Sequence, residues 1–157
     1  MDSFRLVLPY PVSTNRYWRS VVPKGWSRAV TFVSDEAKAY KQAVGWTAKK
    51  AGLRAPIAGY VELAIVLHPQ RPAKMKNPDE VRCMDLDNCL KVLLDALQGI
   101  AYDNDAQVRK LSAERGAPMP HAALVVIISE IPGVQQKTLF PGPSAASGLQ
   151  PGTSPPQ

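Results

Sequence analysis

Between Met84 and Val108 the chain reads MDLDNCLKVLLDALQGIAYDNDAQV, with five aspartates set around a run of leucines. Leu86, Leu90, Leu93, Leu94 and Leu97 recur at i, i+4, i+7 and i+8, which predicts one buried stripe on a helix over residues 86–98. On that helix Asp87 and Lys91 are four apart and share a face. Asp85 and Asp87 would point apart on a continuous helix. If Asp85 lies instead in an extended segment entering the helix, the two carboxylates converge at its N-terminus. Asp103 and Asp105 follow directly, on the approach to a strand that can bring one of them back beside the first pair. Carboxylates brought together repel, so they are protonated or they hold a cation.

Magnesium suits such a set, because it takes oxygen ligands and often uses one or two carboxylates together with a substrate phosphate. Manganese can substitute for it. At a phosphodiester such a metal polarises the phosphoryl oxygen and acidifies a bound water. Lys91 would then stabilise charge on the pentacovalent transition state or orient the attacking water. Plainer readings of the same residues stand beside this one. Asp87 with Lys91 makes an ordinary surface ion pair, Asp85 a helix N-cap, and Asp103-Asn104-Asp105 a turn. A calcium-binding loop from Asp103 is excluded, since Val108 occupies the position that needs glycine.

The remaining chain supplies one domain around this segment. Phe4 to Leu8 and Ala29 to Val33 predict strands, with a loop from Pro9 to Lys24 between them. Ser34 is a predicted N-cap, with Asp35 and Glu36 in the first turn of a helix running to about Lys50 and Gly52 near its end. Tyr60 to Leu67 predicts a buried strand, Pro69 to Arg82 a basic loop, and Gln107 to Ala113 and Ala122 to Ile131 two further strands. The order β-β-α-β-α-β-β predicts an α+β fold, with a mixed or antiparallel sheet and two main helices, over residues 1–131. Residues 132–157 are rich in Pro, Gly and Ser with a single charge, and predict a disordered tail. The two cysteines, Cys83 and Cys89, have neither the number for a disulfide framework nor the spacing of a zinc site. They are expected as reduced thiols in a cytoplasmic protein. The N-terminal FRLVLPYP is too short, and too soon broken by proline, for a signal peptide or a membrane span.

Charge points to a partner. The net charge is +6 over 157 residues, and the basic residues crowd the first half, from Arg16 and Arg19 through Lys24, Arg28, Lys49, Lys50, Arg54 and Arg71 to Lys74, Lys76 and Arg82. A basic surface around an acidic centre suits a polyanion, nucleic acid foremost, and also suits simple solubility. In NRYWR, Asn15 to Arg19, basic and aromatic residues interleave. Arg16 and Arg19 can meet phosphates, while Tyr17 or Trp18 can stack on an unpaired base, one of them being expected in the core. Lys74, Lys76 and Arg82, just before Asp85, would deliver a phosphate to the metal.

These segments resemble the RusA family of Holliday-junction resolvases, small dimeric endonucleases. The family carries Asp-x-Asp-Asn, a lysine one turn into the following helix, and a later Asp before an Ala-Gln-Val-like run. Here these are Asp85, Asp87, Asn88, Lys91 and Asp105 in NDAQV. LPYPVSTNRYWR resembles the family's N-terminal proline pair and Asn-Arg-aromatic cluster, so the resemblance covers about residues 3–131. It implies three catalytic, metal-binding aspartates (Asp85, Asp87 and Asp105) and a catalytic Lys91, while DNA contacts are expected at Asn15, Arg16, Tyr17, Arg19 and Asn88. It further implies a magnesium-dependent homodimer that makes paired nicks in a four-way junction. Asn104 stands where family members often have a second Asp. A non-catalytic DNA-binding protein and a nicking nuclease without junction preference remain the alternatives. For the dimer interface the expectation is a sheet edge or the first long helix, with Tyr40, Val44 and Trp46. In the tail, QKTLF resembles the pentapeptide by which bacterial DNA enzymes bind the replicative sliding clamp, with Gln136, Leu139 and Phe140 as its anchors.

Overall fold

The computed structural model describes residues 3–74, 77 and 81–133. Lys76 and the anchors Gln136, Leu139 and Phe140 lie outside the described residues. The elements run β1 (Ser3–Pro9), α1 (Thr14–Tyr17), β2 (Trp18–Val21), β3 (Val30–Val33), α2 (Asp35–Lys50), β4 (Tyr60–His68), α3 (Leu86–Leu97), β5 (Val108–Arg115) and β6 (Ala123–Ile131). This is the expected α+β order, with two additions. The stretch read as a loop from Pro9 to Lys24 contains α1 and β2. In addition, β2 and β3 form a small antiparallel sheet of their own. Among the described residues no helix is long and apolar enough to cross a membrane.

The main sheet has the order β1-β6-β4-β5, with β4 parallel to β5 and the other pairs antiparallel. A parallel pair needs a crossover connection, and α3 lies in the one that joins β4 to β5. Strand β4 alternates fully, with Val61, Leu63, Ile65 and Leu67 at most 1% exposed. Its register with β6 sets Leu63 against Ile128, Ile65 against Val126 and Leu67 against Leu124. That inner face joins Tyr40, Val44 and Ala48 of α2 and the buried side of α3 in one core.

Helix α2 is capped at both ends by its own sequence. The Ala37 N–H donates to Ser34 Oγ at 3.2 Å, and Asp35 and Glu36 follow in the first turn. At the other end Gly52 has φ +96°, its N–H donates to Lys49 O at 3.1 Å, and Leu53 N–H donates to Ala48 O at 3.0 Å. Those two bonds are a Schellman motif, which needs a residue tolerant of positive φ at that place. Tyr40 and Val44 belong to the core, so neither offers a dimer interface; Trp46 is the residue of the three that stands out, at 79% exposure.

Helix α3 forms where the leucine spacing predicts it, but turned about its axis. Cys89, Val92, Leu93, Ala96 and Leu97 are buried, whereas Leu86, Leu90 and Leu94 are only half-buried. The small side chains of Cys89 and Ala96 form part of the face that the core covers. The expected single stripe of leucines is thus divided between the core and the helix flank. Both thiols are free; burial, and then the nearby Cys83, pushes the Cys89 thiol up to about 12, so it stays protonated and inert.

Candidate active site

Asp85 occupies the N-cap position of α3 with extended backbone, φ −66° and ψ 137°. This is the extended entry that convergence with Asp87 requires. Its carbonyl accepts the Cys89 N–H at 3.1 Å, but its side chain makes no capping bond. The carboxylate is instead turned outward, 72% exposed, with Oδ1 at 3.4 Å from Arg115 Nη2. Asp87 is exposed in the first turn of α3. Among the described residues no salt bridge joins it to Lys91; the ion pairs are Arg16–Glu36, Lys38–Asp35, Lys110–Glu62 and Arg115–Asp85.

Two depressions flank the start and the middle of α3. Asp85 and Asn88 line the first with Arg82, Cys83, Met84, Tyr10 and Ser13. Here the Tyr10 hydroxyl accepts the Met84 N–H at 2.9 Å, tying β1's exit to the residue before Asp85. The second, a cleft of about 240 Å³, is lined by Lys91, Asp95 and Asp105 together with Thr14, Tyr17, Trp18, Val92, Leu94 and Gln98. Lys91 and Asp105 therefore meet in one cleft. Asp85 lies six residues before Lys91, about 9 Å along the helix axis. Among the described residues no three carboxylate, histidine or cysteine groups stand together as a metal-holding cluster. Asp85 and Asp87 belong to the start of α3, whereas Asp105 comes from the 3-10 turn before β5 and lines the second depression.

Asp105 is held in place by a buried glutamine. It opens a single 3-10 turn, Asp105–Gln107, which Asn104 caps by accepting the Ala106 N–H at 2.9 Å. Gln107 is 1% exposed. Its Oε1 accepts the N–H groups of Asp103 and Asn104, both at 2.9 Å. Its Nε2 donates to Ile57 O at 2.7 Å and Gly59 O at 2.8 Å. All of its polar capacity is spent on fixing the turn that carries Asp105 to the segment before β4. Asn104 fills the place of the family's second Asp as a turn cap, a role an aspartate side chain can also fill.

The NRYWR stretch meets α3 from the other side. Thr14 Oγ1 donates to Asn88 O at 3.0 Å, and the Tyr17 hydroxyl donates to Asp95 Oδ2. Tyr17 is only 2% exposed, so its ring has no face to give a base; Trp18, at 42%, does. Arg16 is exposed but paired with Glu36 at 2.7 Å, while Asn15 and Arg19 are exposed. Lys74 is exposed in the loop before α3. Asp95, which looks in the sequence like one more solvated charge, is a cleft residue, and burial raises its pKa above the ordinary carboxylate value. Below it Tyr102 donates to Leu94 O at 2.9 Å, its own pKa raised by burial and by the charges of Asp105 and Asp95.

One cleft is lined by an ammonium, two carboxylates and an indole, with further acids at the helix start. With a cation held by the acids, such a surface would suit an anionic ester chain. Known proteins agree in kind. The sequence profile described as Endodeoxyribonuclease RusA matches residues 9–133. The crossover junction endodeoxyribonuclease rusA of Enterobacteria phage HK97 is 31% identical over 136 residues, 85% of this chain and 100% of its own. The crossover junction endodeoxyribonuclease RusA of Escherichia coli K12 is 36% identical over 109 residues, 69% of this chain and 78% of its own. The matched region runs from the end of β1 past β6 and takes in the whole cleft, so the chain belongs to the RusA endodeoxyribonuclease family.

Proposed function

We propose that the chain is a magnesium-dependent endodeoxyribonuclease that resolves four-way DNA junctions by paired phosphodiester hydrolysis, as a homodimer in the cytoplasm. The observation that carries this reading is the cleft beside α3, whose lining includes both Lys91 and Asp105, in a chain whose relatives are named crossover junction endodeoxyribonucleases. Asp85, Asp87 and Asp105 would hold the ion. They fit a hard cation in donor type: all are exposed oxygen donors, and Asp85 is not consumed as a helix cap. Manganese, which shares the preference for oxygen, would substitute. The chemistry such an ion supplies when bound is polarisation of the phosphoryl oxygen and acidification of water.

The chain's own groups do the rest. Lys91 stabilises the charge that grows on the phosphoryl oxygens as the attacking oxygen adds. Arg82 and Asn88, beside Asp85, hold the strand, and Asn15, Arg16, Arg19, Lys74 and Lys76 add phosphate contacts that give affinity without reading sequence. The Asp85–Arg115 pair opens when the carboxylate turns to a cation, which frees Arg115 for a phosphate.

A non-catalytic DNA-binding protein is the second reading, since among the described residues no three acids, histidines or cysteines form a ready metal-holding group. Cleavage of a four-way junction and of a linear duplex, each with and without magnesium, decides. Magnesium-dependent paired nicks in the junction support the proposal. Binding without cleavage supports the second reading, and equal cutting of both substrates makes the protein a general nicking nuclease.

The tail is assigned a tethering role on its sequence alone, with Leu139 and Phe140 entering an apolar pocket of a sliding clamp and Gln136 at its rim. A peptide spanning Val134 to Pro143 should bind the host clamp. Binding unchanged by alanine at Leu139 and Phe140 would reject this.

A further inference from the structure

The hairpin of β2 and β3 carries its large side chains in the open. Its register sets Arg19 opposite Phe32 and Val21 opposite Val30. Paired residues share a face of a sheet, so these four stand together on one side. All are exposed, Val21 at 51%, Val30 at 41% and Phe32 at 44%. At the tip the Trp26 N–H donates to Pro23 O at 3.0 Å, and Gly25 has φ +90°. Proline second from the start would suit such a turn, but here it comes first; the positive φ at the third residue is what marks type II and calls for glycine. The turn presents Lys24 and Trp26, the latter 64% exposed. A two-stranded sheet is marginal on its own, and this one adds exposed aromatic surface that water disfavours.

Charge decides what covers it. Residues 18–33 contain Arg19, Lys24 and Arg28 and no acidic residue. A second copy of the hairpin would set like charges against each other. DNA brings phosphates to the cations and bases to the rings. Ordinary duplex keeps its base faces stacked away, whereas a branch point can offer them. The hairpin also starts at the cleft: its first residue, Trp18, lines it with Lys91 and Asp105, on the face opposite Arg19 and Phe32.

We propose that the β2–β3 hairpin is a base-stacking arm that engages open bases at the branch point of the DNA. Trp26 and Phe32 are its stacking platforms, and Lys24 and Arg28 hold the flanking phosphates. This rests on the reading of the chain as a junction nuclease and goes beyond it by naming the surface that selects branched over linear DNA.

The test compares the full-length wild-type protein with the Trp26→Ala/Phe32→Ala variant. Binding to a four-way junction and to a linear duplex of equal length is measured in EDTA, alongside sedimentation and circular dichroism. Junction affinity should fall at least about thirtyfold, as loss of two base–aromatic stacks predicts, with duplex affinity and oligomeric state unchanged. The Trp26→Tyr/Phe32→Tyr variant keeps the rings and should restore junction affinity, which also covers the case of an alanine variant that folds poorly. Unchanged junction affinity in the alanine variant overturns the proposal. So does a change of oligomeric state, which would make the hairpin a contact between copies. A wild-type protein that binds junction and duplex alike overturns the junction reading itself, and the arm with it.

Discussion

Replacing Asp87 by asparagine keeps the size of the side chain and removes its charge, which separates holding a cation from holding DNA. Cleavage of a four-way junction by Asp87→Asn should fall by more than about a hundredfold, a loss typical of damage to a metal site. Junction binding should persist, since a negative charge near the phosphates is gone; cleavage at the wild-type rate would remove Asp87 from the site. Lys91→Ala should lose about a hundredfold or more in cleavage rate, the scale of removing one charge-stabilising donor, with an unchanged circular dichroism spectrum. Asp95 poses a different question. Burial raises its pKa, so the folded protein keeps that proton to higher pH than the unfolded chain does. Its contribution to stability is therefore complete below the unfolded value, about 3.9, and is lost as pH rises through the folded one. Asp95→Asn retains an acceptor for Tyr17 and has no charge to desolvate. In EDTA its melting temperature should gain on wild type between about pH 3 and pH 7; a constant gap across that range would contradict the buried-charge account.

At the scale of elements, the 3-10 turn before β5 depends on Gln107. Gln107→Ala leaves the buried Gly59 carbonyl, the half-buried Ile57 carbonyl and two N–H groups without their partner. It should cost about 3 kcal/mol and lower cleavage by displacing Asp105, whereas a thermal midpoint equal to wild type would mean that water or a neighbour replaces the amide. Three elements were legible in the sequence because each had a core to face: α2 with its cap at Ser34, β4 with its alternation, α3 with its leucines; β3 and β5, mostly exposed, were legible from their β-branched and alternating residues alone. Helix α1 and strand β2 were not legible. Of their residues only Tyr17 is buried, so they leave no hydrophobic period to read. The same limit shaped the site. Asp85, Asp87 and Lys91 announce themselves through spacing along one helix. Gln107 acts on carbonyls 48 and 50 residues away, and Asp95 becomes a cleft residue only because Tyr17 comes to it from the far side of the fold. Contacts of that range have no local signature.

For the whole molecule, two nicks across a four-way junction require two sites held at a fixed separation, which a two-fold dimer provides. Sedimentation should give a dimer of 17.1 kDa chains, and a monomer at concentrations where nicks come in pairs would be incompatible with this. The surface that mediates pairing is not α2 through Tyr40 and Val44, which the core claims.

The sheet is completed by its last strand, since β6 lies between β1 and β4 and is the neighbour that joins them. Synthesis delivers the chain from its N-terminus. When Asp105 has been made, every acid and the lysine of the cleft already exist in the growing polypeptide, yet β1 and β4 still have no strand between them. The core that α3 packs into cannot close until β6 has been made and Leu124, Val126 and Ile128 have entered the centre. A nascent chain can thus hold the full set of reactive groups with no scaffold to aim them. A chain cut short before β6 should therefore carry Asp85, Asp87, Lys91 and Asp105 and still be inactive.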